Sequence, residues 1–281
     1  MGKVRSLLGL IKPELPVAAG ICVVVGQALG LGGMPEAGLA LLGFLIGFLI
    51  SGAEMVSNDL FDLEVDKVNH PERPLPSGQV SAKEVIALTV LLSLGGLLIA
   101  AFQGTSVLMF TVFIWALGML YNWRLKSLGL PGNAIVAFSV GATFVLGGMM
   151  ADRLDSGLVW TFALMAALFD LAEEVSGGVM DAEGDALRGS RSLAILYGRK
   201  VALTAVTVLF SAFIVLGIIP YVTGWLDLPY LVLILMADAA VIYLVTRLWR
   251  SEAPEQGRRV QRMLYLIMMA FIIAIFMIVV I

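Results

Sequence analysis

A chain of 281 residues that is 60% hydrophobic and only 14% charged, with mean hydropathy +0.98, stands apart from soluble domains, which average about 45–50% apolar and roughly 25% charged residues. The composition excludes a soluble globular enzyme, no nucleic acid is expected as a partner, and the formal net charge of −3 carries little meaning because charge is sorted along the chain. Cys22 is the one cysteine and lies in an apolar run, so no intrachain disulfide forms and a packed thiol is predicted.

Runs of about 17–25 apolar residues are long enough to cross a bilayer. They predict nine helices, at 14–32, 37–57, 83–102, 105–121, 132–150, 157–175, 200–220, 229–248 and 261–281. Lys3 and Arg5 precede the first run, which continues without a cleavage site, so it reads as a membrane helix rather than a removed signal. Gly32-Gly33, Pro131-Gly132, Pro220 and Pro229 punctuate the runs. With the N-terminus inside, 17 of the 18 Lys and Arg residues fall in inner segments, and only Arg153, beside Asp152 and Asp155, falls outside. The positive-inside rule therefore predicts a multi-pass protein of the cell membrane, N-terminus cytoplasmic and C-terminus outside. The fold expected is an all-α integral membrane bundle of nine transmembrane helices forming one domain over 1–281, with a cytoplasm-facing cap over an apolar cavity.

Two inner loops, 58–82 and 176–199, are much longer than the outer connections, and long loops are uncommon unless functional. Both carry acids. Asn58, Asp59, Asp62 and Asp66 lie in NDLFDLEVD, and Asp181 and Asp185 in DAEGD, each after an apolar run. Carboxylates at a membrane boundary are costly without a partner. Continued helices place Asn58, Asp59, Asp62 and Asp66 on one face, and likewise Asp170, Glu174, Asp181 and Asp185 if the helix runs on past Gly177-Gly178. Like charges one turn apart repel, so a cation must offset them. Hard divalent ions suit such oxygen donors, and Mg²⁺ binds through one or two carboxylates together with substrate phosphates. Asp59, Glu64, Glu72 and Glu183 read as solvated loop acids, and His70 as a loop residue.

Cations lie where a diphosphate needs them. Arg73 is held in NHPERPLPSG by Pro71, Pro74 and Pro76, and Arg124 and Lys126 follow the fourth helix in YNWRLK. Arginine forks match phosphate oxygens and lysine acts as a point charge. Within the helices, Glu54 is one turn before Asn58 and is a candidate acceptor base or support for the metal ligands, and Asp170 and Glu174 are the stronger candidates for deprotonating an acceptor or supporting those ligands.

The runs NDLFDLEVDKVNHPERPLPSG, YNWRLK with GLPGN, and DAEGDALRGSRSLAI, in this order, resemble the UbiA-type intramembrane prenyltransferases. The resemblance implies a helical bundle in which two Asp-rich motifs hold Mg²⁺ against a prenyl diphosphate. It implies Asn58, Asp62 and Asp66 as ligands from the first motif and Asp181 and Asp185 from the second. Arg73 and Lys126 would bind the diphosphate, and Tyr121 would lie near the reacting carbon. Two segments depart from the family pattern: EEVSGGVMD before the second motif, and KPEL from Lys12 to Leu15 near the N-terminus. The expected reaction is Mg²⁺-dependent transfer of a prenyl group from a polyprenyl diphosphate to a lipophilic acceptor, an alkylglycerol phosphate or an aromatic quinone precursor, through an allylic carbocation. Membrane lipid is the expected surrounding. The residues also allow an ion or metabolite transporter, or a polyprenyl diphosphate phosphatase.

Overall fold

The computed structural model describes residues 3–182 and 189–281, all of whose regular elements are helical. The chain opens with an amphipathic helix, α1 (Lys3–Ile11), that lies before the first expected span at 14–32 and was not among the expected helices. Its Leu10 and Ile11 are buried beside Leu75, Val80 and Val85, so α1 fastens the N-terminus to the loop that carries the first motif. Lys12 then takes a left-handed φ of 48° and bends the chain into α2 (Glu14–Leu31). That conformation costs a non-glycine residue on the order of 1 kcal/mol.

The helices α3 (Ala37–Phe61) and α4 (Leu63–Asn69) follow, with Asp62 as the joint between them. A Ser81–Glu84 capping box starts α5 (Ala82–Gln103). After α6 (Thr105–Leu120) the backbone widens into a π-turn, Tyr121–Leu125, and then tightens over Lys126–Leu128. There follow α7 (Leu130–Met150), α8 (Gly157–Met180), α9 (Leu193–Gly217), a one-turn α10 (Ile219–Val222), α11 (Leu228–Trp249) and α12 (Pro254–Val280).

Among the described residues eight helices are long and apolar enough to cross a membrane. The other long helix, α8, coincides with the expected span at 157–175 but carries Asp170, Glu173 and Glu174. Large apolar side chains such as Leu91, Phe102, Val215 and Met236 face outward, as a lipid-facing surface requires. The chain is a multi-pass helical membrane protein.

Close packing comes from small residues. A β-carbon at Gly147 would strike the Val23 carbonyl, so α2 and α7 touch backbone to backbone. Helix α2 packs between α3 and α7, α6 between α5 and α7, and α8 between α7 and α9, while α12 returns against α2 and α8. The largest core, built around Phe144, Phe162, Phe169, Phe210, Phe213 and Tyr230, fills the side formed by α7, α8, α9, α11 and α12. Between α2, α3, α6, α7, α8 and α12 the packing leaves a chamber, and both acidic motifs lie near one end of it.

Candidate active site

The first motif does not form one uninterrupted helix. Helix α3 stops at Phe61, yet the Asp62 N–H still donates to Asn58 O at 2.9 Å and the Asp66 N–H to Asp62 O at 2.8 Å. The stagger along the chain therefore persists through the joint, and each acid takes its own cation. Lys126 Nζ donates to Asp62 Oδ2 at 2.5 Å and to Asn58 Oδ1 at 3.0 Å, while Asn58 Nδ2 donates to Asp62 Oδ2 at 3.1 Å. Arg73 Nη1 reaches both oxygens of Asp66, at 2.7 and 2.8 Å, and the Asp66 side chain is only 3% exposed.

Asp59 corrects an expectation. It is not a solvated loop acid: its carboxylate is buried and accepts from Lys12 Nζ at 2.6 Å. The left-handed turn at Lys12 thus serves a buried ion pair, in the KPEL segment that departs from the family pattern. Glu64 and Glu72 are exposed as expected, paired with Lys67 and, loosely at 3.5 Å, with His70.

The π-turn sets the second wall. The extra backbone residue per turn brings Asn122 against α3, where its Nδ2 donates to the Glu54 carbonyl and to Ser57 Oγ, each at 2.9 Å. Hydropathy did not point to Asn122; a polar residue inside an apolar run was the available signal. With the turn fixed this way, Lys126 reaches the first motif, and Arg124 lies 5.9 Å from the Trp123 ring.

The second motif approaches from α8, which runs through Gly177 and Gly178 to Met180. Glu174, Gly177, Gly178 and Asp181 consequently share a face. Asp181 pairs with Arg258 of α12 at 2.5 Å, both side chains being about half exposed. By sequence, Arg258 is one basic residue among several in its segment and carries no distinguishing signal. Asp185 and Glu183 lie outside the described residues. Beyond them, the Arg191 N–H donates to Ser127 O at 3.2 Å, which ties the end of the second loop to the turn that carries Lys126.

These elements enclose two adjoining cavities. The first, of about 460 Å³, is the more polar of the two and is lined by Asp62, Arg124, Lys126, Asn133, Glu174 and Asp181 together with Phe61, Val65 and Trp123. The second, of about 530 Å³, is largely apolar and extends between the helices past Ile50, Phe110, Val140, Phe169 and Met268. Tyr121, Asn122, Lys126 and Glu174 line both, so they form the seam. Asn58 lines the apolar chamber. Asp66 and Arg73 are not among the residues lining either cavity; they lock the first motif to the following loop.

Among the described residues no three His, Cys, Asp or Glu side chains gather closely enough to hold a metal ion by themselves. The donor set still fits Mg²⁺. Asp62 and Asp181 face one polar cavity, and the Asn58 and Asp62 oxygens already converge on a cationic ammonium. A hard cation that completes its shell with substrate phosphates needs no more protein carboxylates than these.

Residues 19–279 match the model of the UbiA prenyltransferase family. The chain is 34% identical over 274 residues to the digeranylgeranylglyceryl phosphate synthase of Thermococcus kodakarensis, covering 96% of this chain and 98% of that one. Its fold superposes on a solved structure concerned with digeranylgeranylglyceryl phosphate synthase in membranes, with a TM-score of 0.82, 28% identity and coverage of 100% and 99%. It also resembles a UbiA homologue from Archaeoglobus fulgidus bound to GPP and Mg²⁺, with a TM-score of 0.73, 18% identity and coverage of 98% and 99%. The chain belongs to the UbiA prenyltransferase family.

Proposed function

From that membership, we propose that the protein is a Mg²⁺-dependent prenyltransferase of the cell membrane that joins a prenyl group from a polyprenyl diphosphate to a lipophilic acceptor. The observation that carries this reading is the seam: a polar, acid- and cation-lined cavity opens beside an apolar chamber, and Tyr121, Asn122, Lys126 and Glu174 line both. A prenyl diphosphate has the same two-part character. The relatives named for digeranylgeranylglyceryl phosphate favour a glycerol-phosphate lipid over an aromatic quinone precursor as acceptor.

In this reading the whole of 1–281 is one catalytic domain with nine spans, α8 included, and loops 58–82 and 176–199 cap a cytoplasm-facing site. The N-terminus is cytoplasmic and the C-terminus outside, as the distribution of Lys and Arg argues. Asn58, Asp62, Asp66, Asp181 and Asp185 are the proposed metal-binding set. When bound, Mg²⁺ neutralises the diphosphate as a Lewis acid. Lys126 and Arg124 hold phosphate oxygens in the polar cavity. As Lys126 turns from Asp62 toward the diphosphate, it stabilises the charge that develops as the allylic C–O bond breaks. Arg73 keeps Asp66 in place, and since neither lines a cavity, their joining a bound diphosphate and metal requires this pair to open toward the polar cavity. The π face of Tyr121, at the seam, steadies the allylic cation. The apolar chamber excludes water until the acceptor captures the cation.

The test is to incubate the purified protein with labelled geranylgeranyl diphosphate and a panel of glycerol-phosphate and aromatic acceptors, with and without Mg²⁺. Mg²⁺-dependent transfer to one acceptor is expected, and chelation should reduce it to background. Release of inorganic phosphate without transfer would instead support a phosphatase, and vectorial ion flux without turnover would support a transporter.

A further inference from the structure

Resting on the prenyl-transfer reading, we propose that Glu54 is the proton acceptor for the acceptor's hydroxyl, and that the acceptor is therefore an alcohol-bearing lipid rather than an aromatic ring. Glu54 lines the apolar chamber, and its Oε1 is shielded from solvent and makes no hydrogen bond among the described residues. A buried carboxylate oxygen without a donor is costly, and a ligand hydroxyl would offset that cost.

Its placement is built rather than incidental. Gly118 on α6 leaves the space that the carboxylate occupies: a β-carbon there would strike the Glu54 Oε1, Cδ and Cγ atoms. The backbone at this turn is pinned by Asn122 Nδ2 and Ser57 Oγ, both donating to the Glu54 carbonyl at 2.9 Å. Asn122 belongs to the π-turn that also delivers Tyr121 and Lys126, so one local distortion positions the seam and the Glu54 turn together. At about 1.5 Å per residue, Glu54 lies about 6 Å along α3 from Asn58, on the chamber side of the polar cluster. A donor whose diphosphate occupies the polar cavity would present its first carbons at that depth.

The balance of the step is simple. The allylic C–O bond breaks, and its electron pair leaves with diphosphate. A lone pair of the acceptor hydroxyl oxygen forms the new C–O bond, the O–H bond breaks, and the proton passes to the Glu54 carboxylate. No co-reactant is required. Asp170 also lines the chamber with an unpartnered Oδ2, but Glu173 and Glu174 lie one turn away on the same helix. It is the natural comparison.

The experiment follows ether formation and diphosphate release separately, using the full-length protein in lipid vesicles with labelled geranylgeranyl diphosphate, Mg²⁺ and a prenylglyceryl phosphate bearing a free hydroxyl. Glu54→Gln is expected to lower ether formation by about 100-fold or more, the usual range for a lost general base, while donor binding stays within about twofold. Glu54→Asp, which keeps a shorter carboxylate, should fall between the two and decides the matter if the glutamine variant does not fold. Gly118→Ala should displace the carboxylate and lower ether formation with donor binding retained. If Glu54→Gln forms ether within about threefold of wild type, or if Asp170→Asn alone abolishes it, the assignment is overturned while prenyl transfer stands. A wild type that makes no ether with any alcohol but prenylates an aromatic ring overturns the assignment and keeps the enzyme class. A wild type that transfers to no acceptor overturns both.

Discussion

Asp62 of the first acidic motif and Asp181 of the second line one cavity, but the described parts of the two motifs are held in opposite ways. In the first, Asp59, Asp62 and Asp66 have side chains 4%, 17% and 3% exposed, and each meets a cation from a different element: Lys12 at the α1–α2 bend, Lys126 after the π-turn, and Arg73 in the proline-rich loop. In the second, Asp181 is 56% exposed and its partner Arg258, 50% exposed, also lies 3.6 Å from Glu255. A buried ion pair contributes little net stability when intact, because desolvation offsets attraction, but removing one partner strands a charge at high cost. An exposed pair contributes little either way. The first motif is therefore part of the architecture as well as of the site. The described part of the second is held at the surface by a half-exposed pair, whose loss should disturb the fold little.

The comparison has consequences that rank by size. The largest is shared: Asp62→Asn and Asp181→Asn should each lower transfer by about 100-fold or more, since both carboxylates face the cavity in which charge must be neutralised. Initial rates with saturating donor would check this, and a near-normal Asp181→Asn would mean that the rim acid is dispensable. Next comes stability. Arg73→Ala leaves the Asp66 carboxylate buried without its partner and, with Arg73 itself 33% exposed and so partly screened, should destabilise the protein by about 1–3 kcal/mol, read as a lower melting temperature in detergent. Lys12→Met should act in the same direction through Asp59. The smallest effect belongs to the rim: Arg258→Ala should change stability by less than about 1 kcal/mol. If Arg258→Ala melted the protein as severely as Arg73→Ala, the distinction between the two motifs would collapse.

Much of the architecture was legible from hydropathy and charge. The long helices fall where the apolar runs lie, and α8 differs from the other long helices because its acids dilute the apolar signal. The motif residues drew attention because carboxylates at the end of apolar runs demand an explanation. Other features did not show. The separate helix α1 is short and amphipathic, so a search for long apolar runs passes over it. The burial of Asp59 could not be read from a loop of charged residues, because it depends on a cation 47 residues away. Arg258 is one basic residue among several in the sequence, and its pairing with Asp181, 77 residues distant, shows only in the fold. Asn122 and Gly118 gained meaning only through what they touch on α3.

The sequence by itself determined what is decided by local, repetitive physics: apolar runs of membrane-spanning length, and carboxylates and basic residues gathered at the ends of those runs. The tertiary structure decided which acid meets which cation, which wall each side chain lines, and which carboxylate is left without a donor in the apolar chamber. Those outcomes depend on how helices far apart in the chain are rotated and staggered against one another. Small residues such as Gly118 and Gly147 set that packing by what they leave out, and an absent side chain becomes legible only when the neighbouring helix is in place.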